Sequence, residues 1–345
     1  MKWFRSAAAA LMCLCIALSL CGCGVRMAVE WKPGREALFT VSGNEFPMPE
    51  AKILLMEYQY GMEKEYSQSG ASEFWKQKTQ SGETFEEYLK NQYVLDELIF
   101  LKTLNLLWEE KKPAEFSPEA EKAAADAGKA YYLQMTGPEK EMSGASEEDA
   151  VNLMRQYRKA ELMQEALTAH MNQEVSQEEA RVISISHILL RADPGDQAGR
   201  EIARGVAERL LEQIRGGEDF DSLAAQYNQD SRTRYVIARG ETEEAFEKMA
   251  FSLESGEVGE AVETENGFEI IKVLNSYEEA LTASNREKIR EARVRSAWQE
   301  ECREYLKDKS VAVNTSSWEN AQLQESQERS EKRFFEVYRT YFPES

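Results

Sequence analysis

Two histidines and five cysteines are the side chains of this sequence best suited to chemistry near neutral pH, since imidazole and thiol groups titrate closest to it. Two imidazoles rule out a histidine-rich metal site. His170, flanked by Ala169 and Met171, falls on the last helix of a helical stretch and reads as structural. His187 lies within Val182-Ile-Ser-Ile-Ser-His-Ile-Leu-Leu190, where alternation gives way to an apolar run, the signature of a strand. Two readings stay open for it: a satisfied core histidine that maintains the sheet, or a site residue. Four of the five cysteines, Cys13, Cys15, Cys21 and Cys23, crowd the first 23 residues, so Cys302 alone cannot found an intrachain disulfide framework. Val294, Ala297, Trp298, Cys302, Tyr305 and Leu306 share one helical face, which makes Cys302 a buried small hydrophobe rather than a nucleophile.

The clustered cysteines sit in an address segment. Lys2 and Arg5 precede an apolar run from Ser6 to Leu20, shorter than the ~20 residues of an ordinary spanning helix, and the pattern reads as a signal peptide over residues 1–22. Its end, Leu20-Cys21-Gly22-Cys23, resembles the bacterial lipobox, with Cys23 as the lipidated residue. An uncleaved anchor or an ordinary signal peptide would share the charge and the apolar run. A formal charge of −20, from 42 Lys and Arg against 62 Asp and Glu, excludes a nucleic-acid partner, because phosphate binding is driven by clustered basic residues. With 42% apolar and 30% charged residues the chain reads as folded, and its few Gly and Pro, 19 and 8, favour long helices.

Three regions follow a tether at 23–37. Residues 38–181 begin with a small strand and turn at Leu38–Gly43, and are then mainly helical, with Pro49 opening a helix. A capping box at Thr84 and Glu87 starts a long apolar-periodic run from Phe85 to Trp108, and further helix starts lie at Ser117-Pro118 and Ser146. Residues 182–276 change period abruptly. A strand is followed by helical stretches at Arg200–Arg215, Asp219–Tyr227 and Thr242–Phe251. Strands at Glu257–Thr264 and Phe268–Val273 then flank Glu265-Asn266-Gly267, whose Asn-Gly pair suits a tight hairpin. Residues 277–345 return to helix, chiefly Asn285–Lys307, then Val311–Val313 as a strand and a charged tail, Gln322–Arg333, that is expected to fray. The expected fold class is therefore α+β, a compact unit with a small antiparallel sheet inserted between two parts of one helical lobe.

Residues 182–276 resemble a parvulin-type peptidyl-prolyl cis/trans isomerase domain. The likeness rests on the order of Ser186-His187-Ile188-Leu189, Gly217-Glu-Asp-Phe220 with Leu223-Ala224 and Tyr227, Phe246 through Phe251-Ser-Leu253, Gly256-Glu257-Val258 and Gly267-Phe268-Glu269-Ile270-Ile271-Lys272-Val273. With the lipobox and flanking helices, the chain is similar to the PrsA-like foldase lipoproteins of Gram-positive bacteria. The resemblance assigns the first-strand histidine to His187, the acidic position to Asp230, the proline-binding phenylalanine to Phe246 and a supporting wall to Phe251. Thr242 stands where the family has methionine, and Glu269 where it has a second histidine, a carboxylate able to accept a hydrogen bond from His187. The family's Gly-Gly-Asp-Leu-Gly stretch between Asp230 and Gly240 is replaced by the shorter Ser231-Arg-Thr-Arg-Tyr-Val-Ile-Ala.

The resemblance implies a lipid-anchored foldase on the extracytoplasmic face of the bacterial membrane, acting on unfolded or newly exported polypeptides by isomerisation that needs no cofactor and no metal. A client-binding lipoprotein with a weakened or inactive isomerase domain is the alternative, and a homodimer is left open. Arg191-Ala-Asp-Pro-Gly-Asp196 holds one Arg and two Asp, a poor anion site, so phosphopeptide specificity is not expected. The acidic surroundings of the lobe's apolar grooves favour basic client segments.

Overall fold

The computed structural model describes residues 26–28, 37–66, 71–323 and 328–343, so the signal peptide and Cys23 lie outside the described residues. It divides into two compact units, Met1–His170 with Ser296–Ser345, and Met171–Arg295. The α+β class holds, with long helices beside two small sheets.

In the first unit, β2 (Ala37–Val41) and β3 (Asn44–Pro47) form a hairpin across Ser42 and Gly43, both at positive φ, 46° and 82°, the sign that type I′ turns require. β8 (Val311–Val313) runs antiparallel to β2 and parallel to β1 (Arg26–Ala28), so a late segment of the chain completes an early sheet. Phe39 and Phe46 stack on its buried face with ring centroids 5.2 Å apart.

Four helices share one apolar core with this sheet: α1 (Met48–Tyr66), α2 (Leu95–Lys111), α3 (Pro118–Gln134) and α4 (Glu147–Thr168). Gly128 of α3 is required by close approach, since a Cβ there would collide with the Val151 backbone of α4. The run expected as one helix from Phe85 stays helical but widens over Tyr88–Val94, where the Leu95 N–H donates to the Lys90 carbonyl five residues back. Within this turn the buried Lys90 ammonium donates to the carbonyls of Glu319 and Ala321 at 2.9 and 2.8 Å. His170, expected on α4, lies exposed just past its end.

Cys302 is fully buried on α8 (Glu279–Leu306), and burial, with the Glu301 charge adding to it, pushes its thiol up to about 12. The tail does not behave as a solvated charge run. Among its described residues, Arg333 is 4% exposed and donates to Glu57 at 3.2 Å and Glu139 at 3.0 Å, while Arg329 pairs with Glu63 at 3.0 Å. Phe334, opening α9 (Phe334–Tyr341), packs edge-on against Tyr131, with centroids 5.4 Å apart. The charges of the tail lead to an expectation of fraying, but the carboxylates they face, Glu57 and Glu139, are largely enclosed and need a cation. Burial raises the Glu57 pKa, and the Arg333 charge works against that rise.

The second unit has a sheet of order β5-β4-β7-β6, all antiparallel, from β4 (Val182–Arg191), β5 (Arg234–Ala238), β6 (Val262–Thr264) and β7 (Gly267–Asn275). Strand alternation gives it two apolar faces. Ile188, Leu190, Phe268 and Ile270 pack beneath α5 (Gln197–Arg215) and α6 (Phe220–Tyr227). Ile183, Ile185, Ile237, Ile271 and Val273 pack beneath α7 (Glu244–Ser252).

Three details differ from the sequence expectation. β5 is an additional strand, formed by Tyr235-Val236-Ile237, the aromatic and β-branched core of the shortened segment. β6 is shorter than expected, with Val258 making only an isolated bridge to Lys272. The hairpin turn centres on Glu265-Asn266, and Gly267 instead opens β7 at φ 139°, where a Cβ would collide with the Leu190 carbonyl of β4.

Replacing Arg333 by Ala leaves Glu57 and Glu139 buried without their cation and is expected to cost about 3–5 kcal/mol of stability. Denaturant unfolding of the full chain measures it, and a loss below about 1 kcal/mol would reduce the contact to the rank of a surface bridge.

Candidate functional site

His187 sits on the α7-facing side of the second unit's sheet, 4% exposed. Register decides its company. His187 opposes Ile271 and Leu189 opposes Glu269, so His187 and Glu269 are diagonal neighbours on one face. The Glu269 carboxylate, 7% exposed, lies 2.7 Å from His187 Nδ1 and accepts from Thr264 at 3.2 Å through its other oxygen. On the far side of the ring, Nε2 donates to the Arg232 carbonyl at 3.1 Å, with Asp230 Oδ2 at 3.3 Å.

Both ring nitrogens therefore face acceptors, and only the imidazolium can donate from both. Burial works against that charge, but the hydrogen bond and charge of Glu269, the Arg232 carbonyl and Asp230 outweigh it and raise the His187 pKa above its ordinary value. Asp230 is held below the usual carboxylate range chiefly by the Tyr235 hydroxyl, against the cost of burial, with the Ser231 N–H and the His187 charge adding to the lowering.

The loop carrying Asp230 is built by Asn228. Its side-chain oxygen accepts from the Leu189 N–H at 2.9 Å and from the Asp230 N–H at 3.2 Å, and its amide donates to the Arg232 carbonyl at 2.9 Å. One side chain thus ties the end of α6 to β4 and to the loop. Tyr235 enters from β5, opposite Ile185, with its ring edge-on to His187 at 5.1 Å and its hydroxyl donating to Asp230. Phe246, on the inward face of α7 with Ala250, lies 6.4 Å from the imidazole centroid in a T-shaped arrangement.

The structure thus brings together His187, Asp230, Glu269 and Phe246. Phe251 belongs to the same apolar cluster, but its ring faces the Arg239 and Arg181 guanidiniums at 4.3 and 5.1 Å. Thr242 lies half-buried ahead of α7, its hydroxyl enclosed without a hydrogen-bond partner among the described residues. Sequence reasoning missed Tyr235, Asn228 and Thr264. The alternation around Tyr235 was the available signal for the first, while the other two act through register and loop closure, which local pattern does not carry.

Residues 187–275 match the family model described as a PPIC-type PPIase domain of the rotamases. The chain carries a parvulin domain. Over 152 residues it is 30% identical to Foldase protein PrsA 3 of Bacillus anthracis, covering 40% of this chain and 50% of that protein. It is 33% identical over 99 residues to Chaperone SurA of Burkholderia orbicola strain AU 1054, covering 27% of this chain and 22% of that protein. The chain thus spans about half the length of the first relative and less of the second. A crystal structure of the peptidylprolyl isomerase PrsA from Bacillus cereus aligns with 78% of this chain and 98% of its own at 18% identity, with a TM-score of 0.36. Of the two departures, Glu269 meets His187 from β7, whereas Thr242 lies ahead of α7.

Because the folded His187 value lies above the ordinary 6.5, its partners contribute fully below about pH 6.5, and that contribution is lost as pH rises through the folded value. Asp230 has the opposite sign. Its contribution is present above about pH 3.8 and is lost as pH falls through the lowered value. Nitrogen-detected NMR should show His187 titrating above 6.5 in the native chain and at a lower midpoint in Glu269→Gln. An unchanged midpoint in the variant would remove Glu269 as the cause.

Proposed function

We propose that this chain is an extracytoplasmic foldase, tethered at Cys23, whose parvulin domain isomerises Xaa-Pro bonds of unfolded or newly exported clients. The observation that carries this reading is the aromatic-lined imidazole site, in which Phe246, Tyr235 and the His187–Glu269 pair converge on one sheet face. The tether is supported by the sequence pattern around Cys23 alone, and the foldase role by the likeness to the PrsA and SurA proteins.

The chemistry asked of such a site is modest. Cis and trans Xaa-Pro bonds differ by about 1 kcal/mol but are separated by ~18–20 kcal/mol, because rotation destroys amide resonance. No bond to the enzyme has to form. A twisted amide has a smaller dipole than a planar one, so a pocket that strips water from the bond weakens the planar state relative to the twisted one. Phe246 offers the proline ring an apolar wall. His187 has no N–H left to give, since Glu269 and the Arg232 carbonyl occupy both, so it sits between the Asp230 and Glu269 carboxylates, offsets their mutual repulsion and shapes the floor. In this reading the mechanism is electrostatic and steric, with His187 as a positioning residue.

The same locking of His187 favours a second reading, a client-binding module whose catalysis is weakened. One experiment separates the two. A protease-free isomerase assay should show turnover of Xaa-Pro peptides by the native chain. In Phe246→Ala it should fall roughly ten- to a hundredfold, the equivalent of losing a buried aromatic contact of about 1.5–3 kcal/mol. Suppressed aggregation of a proline-free client without any turnover would select the binding module instead.

A further inference from the structure

We infer that Arg232 selects Xaa-Pro bonds flanked by an acidic residue, making carboxylate-bearing segments the preferred substrates of the parvulin domain. This rests on the isomerase reading above and adds to it a chemical class of substrate.

Arg232 is anchored at the site and free at its tip. Its carbonyl accepts from His187 Nε2 at 3.1 Å and from the Asn228 amide at 2.9 Å, which fixes the backbone beside the imidazole. Its guanidinium lies over the Tyr235 ring, 5.9 Å from the centroid, and that ring meets His187 edge-on at 5.1 Å. The charge therefore stands one aromatic ring away from the imidazole, on an exposed side chain. Among the described residues no carboxylate lies within 4.0 Å of it, whereas its neighbours Arg191 and Arg234 approach Asp230 and Asp221 at 3.9 and 3.6 Å.

The segment after β4, with one Arg against two Asp, is a poor anion site. The fold assembles one instead from the segment between α6 and β5, where the shortened loop enters the sheet directly and sets Arg232 against Tyr235.

A basic flanking residue is repelled by Arg232, and an acidic one gains a planar, two-pronged donor suited to carboxylate. The whole chain is acidic, yet at physiological salt the Debye length of ~8 Å lets the nearest charge decide. Arg232 is exposed, so the expected gain is that of an exposed pair, about two- to fivefold.

The test uses the full chain and peptides that differ only in Glu, Ala or Lys immediately before or after proline. Protease-free turnover supplies one readout and fluorescence anisotropy of the same labelled peptides a second. At one flank Glu should exceed Ala and Ala should exceed Lys, mainly through KM, and the spread should shrink in high salt. Arg232→Ala should level Glu with Ala, and Arg232→Glu should invert the order. Turnover of every peptide with no dependence on the flanking charge would overturn the selection and leave the isomerase reading standing. Absent turnover with the same charge order in anisotropy would remove the isomerase and keep Arg232 as the selector of bound peptides. Absent turnover with equal binding would remove both.

Discussion

The contact on which the functional unit depends is the ion pair between His187 and Glu269, buried on one face of a small sheet. A charged imidazole is costly to bury, and it is kept only because an acceptor meets each ring nitrogen and a second carboxylate stands beside it. That requirement explains much of the local architecture. Asn228 closes the loop so that the Arg232 carbonyl points at the ring, Thr264 holds the second oxygen of Glu269, and Tyr235 supplies both a ring edge and a proton donor for Asp230. Thr264 bonds the pair directly, while Asn228 and Tyr235 hold the acceptors that face the far side of the imidazole. The result is a rigid polar floor beneath an apolar wall, suited to a reaction that needs shape and dryness rather than a nucleophile.

The helical unit solves a related problem differently. Its long helices bury apolar stripes, but the carboxylate of Glu139 is buried and that of Glu57 largely enclosed with them, and the chain returns from its far end to supply Arg333. β8 does for the sheet what Arg333 does for the helices, because its backbone pairs on one side with β1 and on the other with β2. Both contacts tie the end of the chain to its beginning, as expected of a unit whose sequence is interrupted by an insertion.

Much of this was legible in advance. The period of 2 around His187, the period of 3.6 around Cys302 and the capping residues at Thr84, Ser117 and Ser146 reflect local backbone preferences, and the structure realises each of them. What escaped was non-local. The segment Ser231–Ala238 read as a short connection because only a partner strand turns its alternation into β5, and Gly267 read as a turn centre because the approach of β4 cannot be seen from the hairpin alone. The tail is expected to fray because it is a charged run, and its enclosed carboxylate partners lie far away along the chain.

By itself, then, the sequence determined which residues were available for chemistry: one strand histidine, a carboxylate at Glu269 and an aromatic at Phe246, on elements set by local periodicity. Only the tertiary structure decided what they do to one another. A two-residue offset in the β4–β7 register places Glu269 against His187, and a loop closed by Asn228 directs Arg232 to the other nitrogen. Charge state follows from those distances, because an imidazole's proton is held by the acceptors that surround it and by the water that burial excludes.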